Sequence, residues 1–480
     1  MLSLLLNGKK PQEFFWPLFF TPPPRISYIF GNPPFGGKHY QSKEQRADQA
    51  AITVGIRSGS DLDFVANWFI KSAAYASGKN VDFAFVATNS LSQGEQVPLL
   101  WPYVLGNLGF RIRFAHRTFR WSNEARGNAA VHCVIIGLTQ TPGISRLFDY
   151  TDPAGDPHEL AVARINPYLA EGPDVIVTKR TTPVTPRPIM RCGSKPSDGG
   201  NLILSSAERE QLISESPETN DWIRPYIGSN EFLNGGWRWC LWLDGVPPEE
   251  LRKVNAVMKR IEAVRQFRSK SSAAPTRAAA DTPGRFFFVA QPSSEYILIP
   301  EVSSERRRYV PIGMMSPDVI SSNKNYLIDE PDLFVFGLLQ SSMHMAWLAT
   351  VAGRLESRFQ YSASMVYNNF PWPDSVDDRE RSKVEQASRR ILEARAKFPA
   401  STLADLYDPL TTPRDLARAH QNLDRAVDGA YVAAERAAGR KPPKLSTDAE
   451  RVAFLFERYQ ALTSLLPAPK KKTGRRRRTA

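Results

Sequence analysis

A short polar tetrad near the beginning of the sequence has the residue types that bind a planar amine. The apolar run Ile26–Phe30 leads into Asn32-Pro33-Pro34-Phe35. An exocyclic amine is a weak nucleophile because its lone pair is drawn into the ring, and two fixed carbonyl acceptors for its hydrogens return that lone pair towards an incoming methyl group. Pro33 has a locked φ and no N–H, so the carbonyls beside it are oriented in advance. Phe35 offers a face on which a base taken out of a duplex can stack. The tetrad therefore predicts methyl transfer to an exocyclic amine.

Asn-Pro-Pro also makes an ordinary turn after a strand, because asparagine tolerates turn geometry and a residue before proline disfavours helix. The elements around the tetrad favour the functional interpretation. Their alternation is typical of a parallel, doubly wound sheet, in which chemistry takes place at the carboxyl ends of the strands. The hydrophobic pattern predicts helices at Asp61–Gly78 and Val97–Leu108 and strands at Val81–Thr88, Phe110–Ala115 and Val131–Leu138.

The remainder of the chain has a different texture. Proline, glycine and short β-like runs such as Trp237–Leu243 and Phe286–Val289 dominate up to about residue 332, and a basic helix at Glu249–Ser269 is interpreted as a solvated face. Helical patterns follow at Asp378–Ala396, Thr412–Ala438 and Thr447–Leu465. We predict an α/β fold with these parts: an unplaced segment 1–25, a partial Rossmann-like methyltransferase sheet 26–140, a mixed α+β region 141–332, a helical region 333–466 and a disordered basic tail 467–480.

The charge balance favours a polyanionic partner. The formal net charge is +13 and the pI about 9.6. The tail 467–480 contributes seven of the cations and no acid, which adds non-specific attraction to phosphates. The rest of the chain stays basic without it, so the prediction of a nucleic-acid partner stands.

Several classes of protein are disfavoured by the composition. No apolar stretch approaches the length of a bilayer span, and the opening residues have no secretory-signal pattern. Cys133, Cys192 and Cys240 lie far apart without a CxxC pair, which fits a reducing cytoplasm. His39 and His132 belong to no cluster with metal-ligand spacing, so we expect no metal site.

The segment Ile29–Asp48, which contains the tetrad, resembles the MmeI-like DNA methyltransferases. These are the methylating half of bifunctional type II restriction-modification enzymes. The likeness covers about residues 26–465, and it is carried by these further segments: Ser122–His132, Met190–Leu204, Tyr226–Phe232, Ser304–Tyr309, Gly337–Trp347 and Ser357–Pro373.

The resemblance implies transfer of a methyl group from S-adenosylmethionine to N6 of a flipped adenine in a specific duplex sequence. Asn32 and Pro33 would accept hydrogen bonds from the adenine amine, Phe35 would stack on the base, and Pro34 would stiffen the loop. The family needs a second aromatic before its last strands. Both Phe119 and Trp121 fit that role, and each is equally explained as a core or sheet-edge aromatic.

Other residues are expected near the DNA. Asn89 and Ser90 would border the cleft, although a polar turn at the end of a strand explains them as well. In the target-recognition region, arginine can bind guanine in a bidentate manner, whereas most cations meet only phosphates. The candidate DNA contacts are Arg238, Arg306, Arg307, Arg308 and Lys324, and for each of them a surface charge is the alternative explanation.

The sequence departs from the family in two respects. The glycine-rich loop that approaches S-adenosylmethionine stands upstream of the tetrad in this family, and Leu6–Lys10 is not such a loop. The family also carries an N-terminal nuclease. The nuclease-like pattern of this sequence, Pro173-Asp174 followed by Lys179, lacks an adequate acidic partner and is interpreted as an ordinary strand start. We therefore expect no DNA cleavage, weak or absent binding of S-adenosylmethionine, and an upstream-encoded fragment as a partner besides double-stranded DNA.

Two further functions stay open from the sequence. Similar tetrads serve other planar amines, so methylation of N4-cytosine, RNA or protein glutamine is a second enzymatic reading. The large recognition region argues against a protein substrate. A catalytically inactive DNA-binding specificity module or remnant is a third.

Overall fold

The structure is a computed structural model that describes residues 26–121, 131–150, 152, 154–330 and 332–464. The N-terminal segment 1–25, most of the resemblance segment Ser122–His132 and the tail 467–480 lie outside these residues. The side chains of His39 and Trp121 lie outside them too.

The first region is a six-stranded sheet with helices packed on it. Alternating side chains of the second strand are buried, as expected for a strand covered on one side. The helices are α1 (Lys43–Ile52), α2 (Ala66–Ala76) and α3 (Gln96–Trp101), and a π-helical turn, Pro102–Asn107, continues the last of them. The strands are β1 (Tyr28–Gly31), β2 (Asp82–Thr88), β3 (Arg111–Trp121), β4 (Val131–Thr139), β5 (Ser145–Asp149) and β6 (His158–Val162).

The sheet is mixed, whereas the alternation of elements predicted a parallel one. Its order is β1-β2-β4-β3-β5-β6. β1 is parallel to β2, but β4 lies between β2 and β3 and is antiparallel to both. The connection 122–130 is shorter than the crossover of about a dozen residues that a parallel pair needs, so β3 and β4 pair as neighbours running in opposite directions.

The strand register brings the carboxyl ends of β1 and β2 to one edge, which we call the tetrad edge. Gly31 at the end of β1 pairs with Phe85, three residues before the end of β2. At that end, Thr88 pairs with Cys133 of β4, which pairs in turn with Phe119 of β3. Phe119 is therefore two strand spacings, about 10 Å, from Thr88 along the same edge.

The second region holds two four-stranded sheets. The helix expected at Glu249–Ser269 is interrupted at Val254, whose side chain is buried. The helices of the second region are α4 (Ser206–Glu215), α5 (Ser229–Asn234), α6 (Pro248–Lys253), α7 (Asn255–Ser269) and α8 (Ala274–Ala278). The strands of the second region are β7 (Met190–Cys192), β8 (Ile203–Leu204), β9 (Ile223–Ile227), β10 (Arg238–Leu241), β11 (Tyr296–Pro300), β12 (Val302–Ser303), β13 (Gly313–Met315), β14 (Ile320–Ser321) and β15 (Asn325–Asp329). The two sheets have the orders β14-β9-β10-β8 and β13-β11-β15-β7. The β-like run Phe286–Val289 forms only an isolated bridge, between Phe288 and Lys195.

The third region is mainly helical, as predicted. A small sheet in the order β12-β17-β16 joins it to the second region. Its strands are β16 (Gly353–Leu355) and β17 (Arg358–Gln360), and its helices are α9 (Leu333–Leu339), α10 (Ser342–Val351), α11 (Asp378–Ala396), α12 (Leu403–Leu406), α13 (Arg414–Ala437) and α14 (Asp448–Thr463).

One hydrophobic core joins the first and third regions and includes part of the second, with Met190, Ile297 and Ile328. It runs from Leu62 beside the first sheet to Tyr459 in α14. No single described helix is long and apolar enough to cross a membrane; α9 and α10 pass that test only together, with a bend of 53° between them. Both helices are almost wholly buried in this core.

Candidate active site

The tetrad leaves β1 at the tetrad edge with alternating exposure. Asn32 and Pro34 are exposed, Pro33 is buried, and Phe35 is half-buried against the main core. A buried, rigid proline between two accessible residues holds the backbone while leaving the Asn32 amide accessible to a ligand. The structure therefore permits the predicted acceptor role of Asn32, and it uses part of the Phe35 ring for packing.

A carboxylate that the sequence did not single out stands beside the tetrad. Asp63 accepts hydrogen bonds from Ser90 Oγ and from Thr88 Oγ1, the latter at 3.4 Å. Burial raises the pKa of Asp63, and its hydrogen bonds oppose that rise. Ser90 belongs to the 3-10 turn Asn89–Ser92, as expected for a polar turn, but its hydroxyl binds this acid. The sequence signal that could have found it is an aspartate enclosed by the buried residues Leu62 and Phe64.

Of the two candidate stacking aromatics, Phe119 takes part in an aromatic cluster. Its ring centroid lies 5.5 Å from that of Tyr150 and 6.4 Å from that of His116. The His116 ring stacks on Phe148 at 4.3 Å and its Nδ1 lies 2.8 Å from the Tyr150 hydroxyl. Burial lowers the pKa of His116 and raises that of Tyr150. Trp121 ends β3, and which aromatic completes the pocket stays a prediction.

A cleft of about 830 Å³ connects the first sheet to the arginines of the second region. We call it the central cleft. Arg117 lines one wall and is ion-paired with Asp149 at 2.6 Å. The opposite wall carries Arg306, which is exposed, and Arg307, which is half-buried and whose pKa is lowered by burial. This cleft brings three of the predicted DNA contacts, Arg306, Arg307 and Arg308, next to the first sheet.

Arg308 has structural partners. Its guanidinium lies 2.8 Å from Asp448 of α14 and 3.1 Å from Ser342 of α10. The same Ser342 bonds Asp424, which also accepts from the Tyr309 hydroxyl at 2.7 Å. The residues Arg308 and Tyr309 thus tie the second region to three helices of the third. A role for Arg308 at DNA stays a prediction beside this structural one.

The remaining two predicted contacts share a second cavity, of about 480 Å³. We call it the arginine–lysine pocket. Arg238 Nε lies 2.8 Å from Glu231, and Lys324 Nζ lies 3.3 Å from Glu301. Burial alone would raise the pKa of Glu231, but hydrogen bonds from Arg238 and from the Gly228 N–H leave it lowered. The pocket therefore presents two cations, each paired with a carboxylate. Its other lining residues include Gly228, Leu355 and Gln360.

Two carboxylates near the segment that follows the tetrad already have partners. Asp61 is ion-paired with Lys38 at 2.5 Å, and Asp63 accepts from the hydroxyls of Ser90 and Thr88. The ribose hydroxyls of a nucleoside methyl donor would have to compete with these partners. A search of the described residues found no cluster of three or more metal-ligating side chains.

Three family models match successive parts of the chain. They are the MmeI DNA-methyltransferase domain over residues 11–149, the MmeI target recognition domain over 171–374 and the MmeI C-terminal domain over 376–467. The chain belongs to the MmeI family. This confirms the resemblance and the predicted class of fold: a methyltransferase sheet, a target-recognition region and a helical C-terminal region.

Two relatives show how much of an MmeI-type protein is present. The chain is 37% identical over 436 residues to a protein of Bacillus subtilis (strain 168) named DNA methyltransferase A, which covers 91% of this chain and 48% of that one. It is also similar to the type IIL restriction-modification enzyme MmeI in a structure with DNA, with 47% identity and a TM-score of 0.82, covering 92% of this chain and 57% of that one. The chain thus spans about half the length of these relatives.

Proposed function

We propose that this chain binds a flipped adenine and recognises the surrounding duplex in a DNA methyltransferase that uses S-adenosylmethionine, as part of a restriction-modification or defence system in the cytoplasm. The observation that carries the proposal is the exposed Asn32 on a strand end, fixed by the buried Pro33, in a chain of the MmeI family. The proposed product is N6-methyladenine.

At the tetrad edge, the residues would orient the amine. The side-chain carbonyl of Asn32 and the backbone carbonyl of Pro33 accept the two amine hydrogens, which directs the nitrogen lone pair away from the ring. Phe35 and an aromatic from the end of β3, Phe119 or Trp121, hold the base plane. S-adenosylmethionine would supply an electrophilic methyl group, and the methylated amine would then release one proton to solvent. The chain's residues fix position and need no nucleophile of their own.

The two cavities would divide contact with the DNA. In the central cleft, the exposed Arg306 and the half-buried Arg307 face the sheet that carries the tetrad, which suits contacts to phosphates near the flipped base. In the arginine–lysine pocket, cations can donate to guanine and carboxylates can accept from cytosine or adenine amines. We propose that this pocket recognises base edges.

The methyl donor site is proposed to be completed at β1 by an upstream-encoded fragment. Within the described sheet β1 pairs with β2 alone, and Tyr28 and Phe30 are 71% and 80% exposed. An edge strand with exposed aromatics favours addition of another strand. The double substitution Tyr28→Lys and Phe30→Lys should abolish co-purification with that fragment while DNA binding persists. Unchanged co-purification would contradict this proposal.

The test is a methyl-transfer assay. The chain is incubated with duplex DNA and methyl-labelled S-adenosylmethionine, with and without the protein encoded immediately upstream, and the DNA is digested to nucleosides. We expect labelled N6-methyladenine that Asn32→Ala abolishes. The matched control is Asn107→Ala, an exposed asparagine that precedes β3 at the opposite edge of the sheet. Labelled N4-methylcytosine would overturn the adenine assignment.

A second candidate function is a DNA-binding specificity module without catalysis. It is favoured by the partners that already hold Asp61 and Asp63, with which the ribose hydroxyls of a nucleoside donor would have to compete. Sequence-selective binding without methyl transfer, with and without the upstream protein, would establish this function and overturn the first.

A further inference from the structure

The carboxylate of Asp63 binds two residues at the end of β2. Its carboxylate accepts from the hydroxyls of Ser90 and Thr88, which lie 2.8 Å from each other. Thr88 is the last residue of β2, and Ser90 lies in the turn that follows. One half-buried acid thus holds the strand end and the first turn beyond it.

The same residue also binds the segment that follows the tetrad. The backbone N–H of Lys38 lies near the Asp63 carboxylate and opposes the rise of its pKa. The neighbouring Phe64 N–H donates to the Gly36 carbonyl at 2.8 Å. At Gly37 an added Cβ would stand 3.8 Å from Asp63 Oδ1, so the chain passes directly over the carboxylate. The three residues after Phe35 are therefore docked on Asp63 and Phe64.

The position of Asp63 is itself fixed by two helices. Its backbone N–H donates to Gln96 Oε1 of α3 at 2.8 Å, and Gln96 Nε2 donates to the Asp61 carbonyl at 2.8 Å. From α1, Gln49 Nε2 donates to the Leu62 carbonyl at 2.7 Å. A carboxylate held by its own backbone in this way can position other groups, because it does not itself move to meet them.

Stability alone does not account for this acid. Burial raises the pKa of Asp63, which means that folding disfavours its charged form. In the described part of the chain no cation is ion-paired with it, since the Lys38 ammonium is taken by Asp61. A half-buried carboxylate whose pKa is raised and that has no cationic partner lowers stability, and such groups concentrate at functional sites.

We propose that Asp63 is a positioning residue of the amine site: it holds residues 36–38 against the end of β2, so that the carbonyls of Asn32 and Pro33 keep their direction. This rests on the proposed function. Misplacement of reacting groups by about 1 Å costs on the order of 100-fold in rate, so loss of this carboxylate should lower kcat about 10- to 100-fold and leave KM for DNA nearly unchanged.

The experiment uses the full chain and two measurements. Asp63→Asn keeps the size of the side chain but presents donors to the Ser90 and Thr88 hydroxyls. Hydrogen–deuterium exchange should become faster in residues 36–41, and kcat should fall under the conditions in which the unaltered chain methylates DNA. The matched control is Asp82→Asn, which removes a surface pair with Arg113 at the other end of β2 and should change neither.

Ser90→Ala is the milder second variant, which guards against simple misfolding. It should change both measurements in the same direction but less, and its effect should largely disappear in the Asp63→Asn background. Unchanged exchange in Asp63→Asn, or faster exchange with unchanged kcat, would overturn the positioning role. If Asn32→Ala leaves methyl transfer intact, the proposed function fails instead, so the two failures are distinguishable.

Discussion

At the tetrad edge, Asp63 is held by the hydroxyls of Ser90 and Thr88, whereas in the arginine–lysine pocket Glu231 and Glu301 are each paired with a cation. The pKa of Asp63 is raised and that of Glu231 is lowered. The first arrangement fixes backbone geometry at a cost in stability. The second presents side chains that can exchange a protein partner for a base edge. We infer that chemistry depends on the rigid edge, and sequence choice on the exchangeable pocket.

The largest expected effect is on the rigid edge. Asn32→Ala removes one preoriented acceptor and should lower the rate of methyl transfer by about 100- to 1,000-fold. Affinity for the specific duplex should change less than about twofold, because the arginine–lysine pocket is untouched. Single-turnover kinetics and fluorescence anisotropy measure the two quantities. Equal losses in both would remove the distinction between the regions.

The second prediction concerns the place where the two regions meet. Gly94 follows the turn after β2, has φ +53°, and donates to the Val351 carbonyl at 3.2 Å. A Cβ there would stand 2.9 Å from Gly353 Cα, in the strand that leads to Leu355 of the pocket. Gly94→Ala should lower the free energy of unfolding by about 2–3 kcal/mol, from left-handed backbone strain plus a clash.

The control for that substitution is Gly78→Ala. Gly78 has φ +71°, but no atom lies within 4 Å of an added Cβ, so only the backbone strain of about 1–2 kcal/mol remains. Urea denaturation of both variants measures the difference. If Gly78→Ala costs as much as Gly94→Ala, the close contact with Gly353 has no energetic importance.

The third prediction concerns the exchangeable pocket. Lys324→Gln should reduce discrimination between the target and single-base-pair variants by about 1–3 kcal/mol. The rate at saturating target DNA should stay near that of the unaltered chain. Lys383→Gln is the control, since it also removes a lysine–glutamate pair, with Glu380 on α11. Competition binding against variant duplexes provides the measurement, and equal discrimination in both variants would show that the pocket does not select bases.

The smallest expected effect is the pH dependence of the two carboxylates. The pKa of Glu231 is lowered in the fold, so its stabilising contribution is present above its ordinary value of 4.5 and is lost as the pH falls below it. The pKa of Asp63 is raised above 3.8, so its contribution has the opposite sign and is lost as the pH rises.

Relative to the unaltered chain, Glu231→Gln should therefore be least stable near pH 7 and Asp63→Asn least stable near pH 4. The expected differences are about 1 kcal/mol or less. Denaturant unfolding at both pH values measures them. The same sign in both variants would contradict the contrast between the regions.

The elements with strong hydrophobic periodicity were predictable from sequence. The helix Asp378–Ala396 has the predicted bounds, and β2 differs from its predicted strand by one residue. Periodicity reports which face is buried but not the direction of a neighbouring strand, so the antiparallel insertion of β4 was missed. The tetrad could be proposed from the sequence because its residue types suit the predicted chemistry without help from distant segments.

The surroundings of the site could not be predicted because they depend on distant segments. Asp63 is enclosed by groups from β2, α3 and the segment after the tetrad. Arg268 makes the same point in the basic helix, where its pattern indicated a solvated face. The side chain is fully buried, and its guanidinium donates to five carbonyls, those of Pro196, Ser197, Ala279, Thr282 and Arg285.

The most direct test of the division between edge and pocket is a map of methylated positions in a random-sequence duplex library, made with the unaltered chain, Asn32→Ala and Lys324→Gln. We predict N6-methyladenine within one sequence motif for the unaltered chain, none for Asn32→Ala, and N6-methyladenine within a broadened or altered motif for Lys324→Gln. An unaltered motif for Lys324→Gln, or continued methylation by Asn32→Ala, would contradict the account.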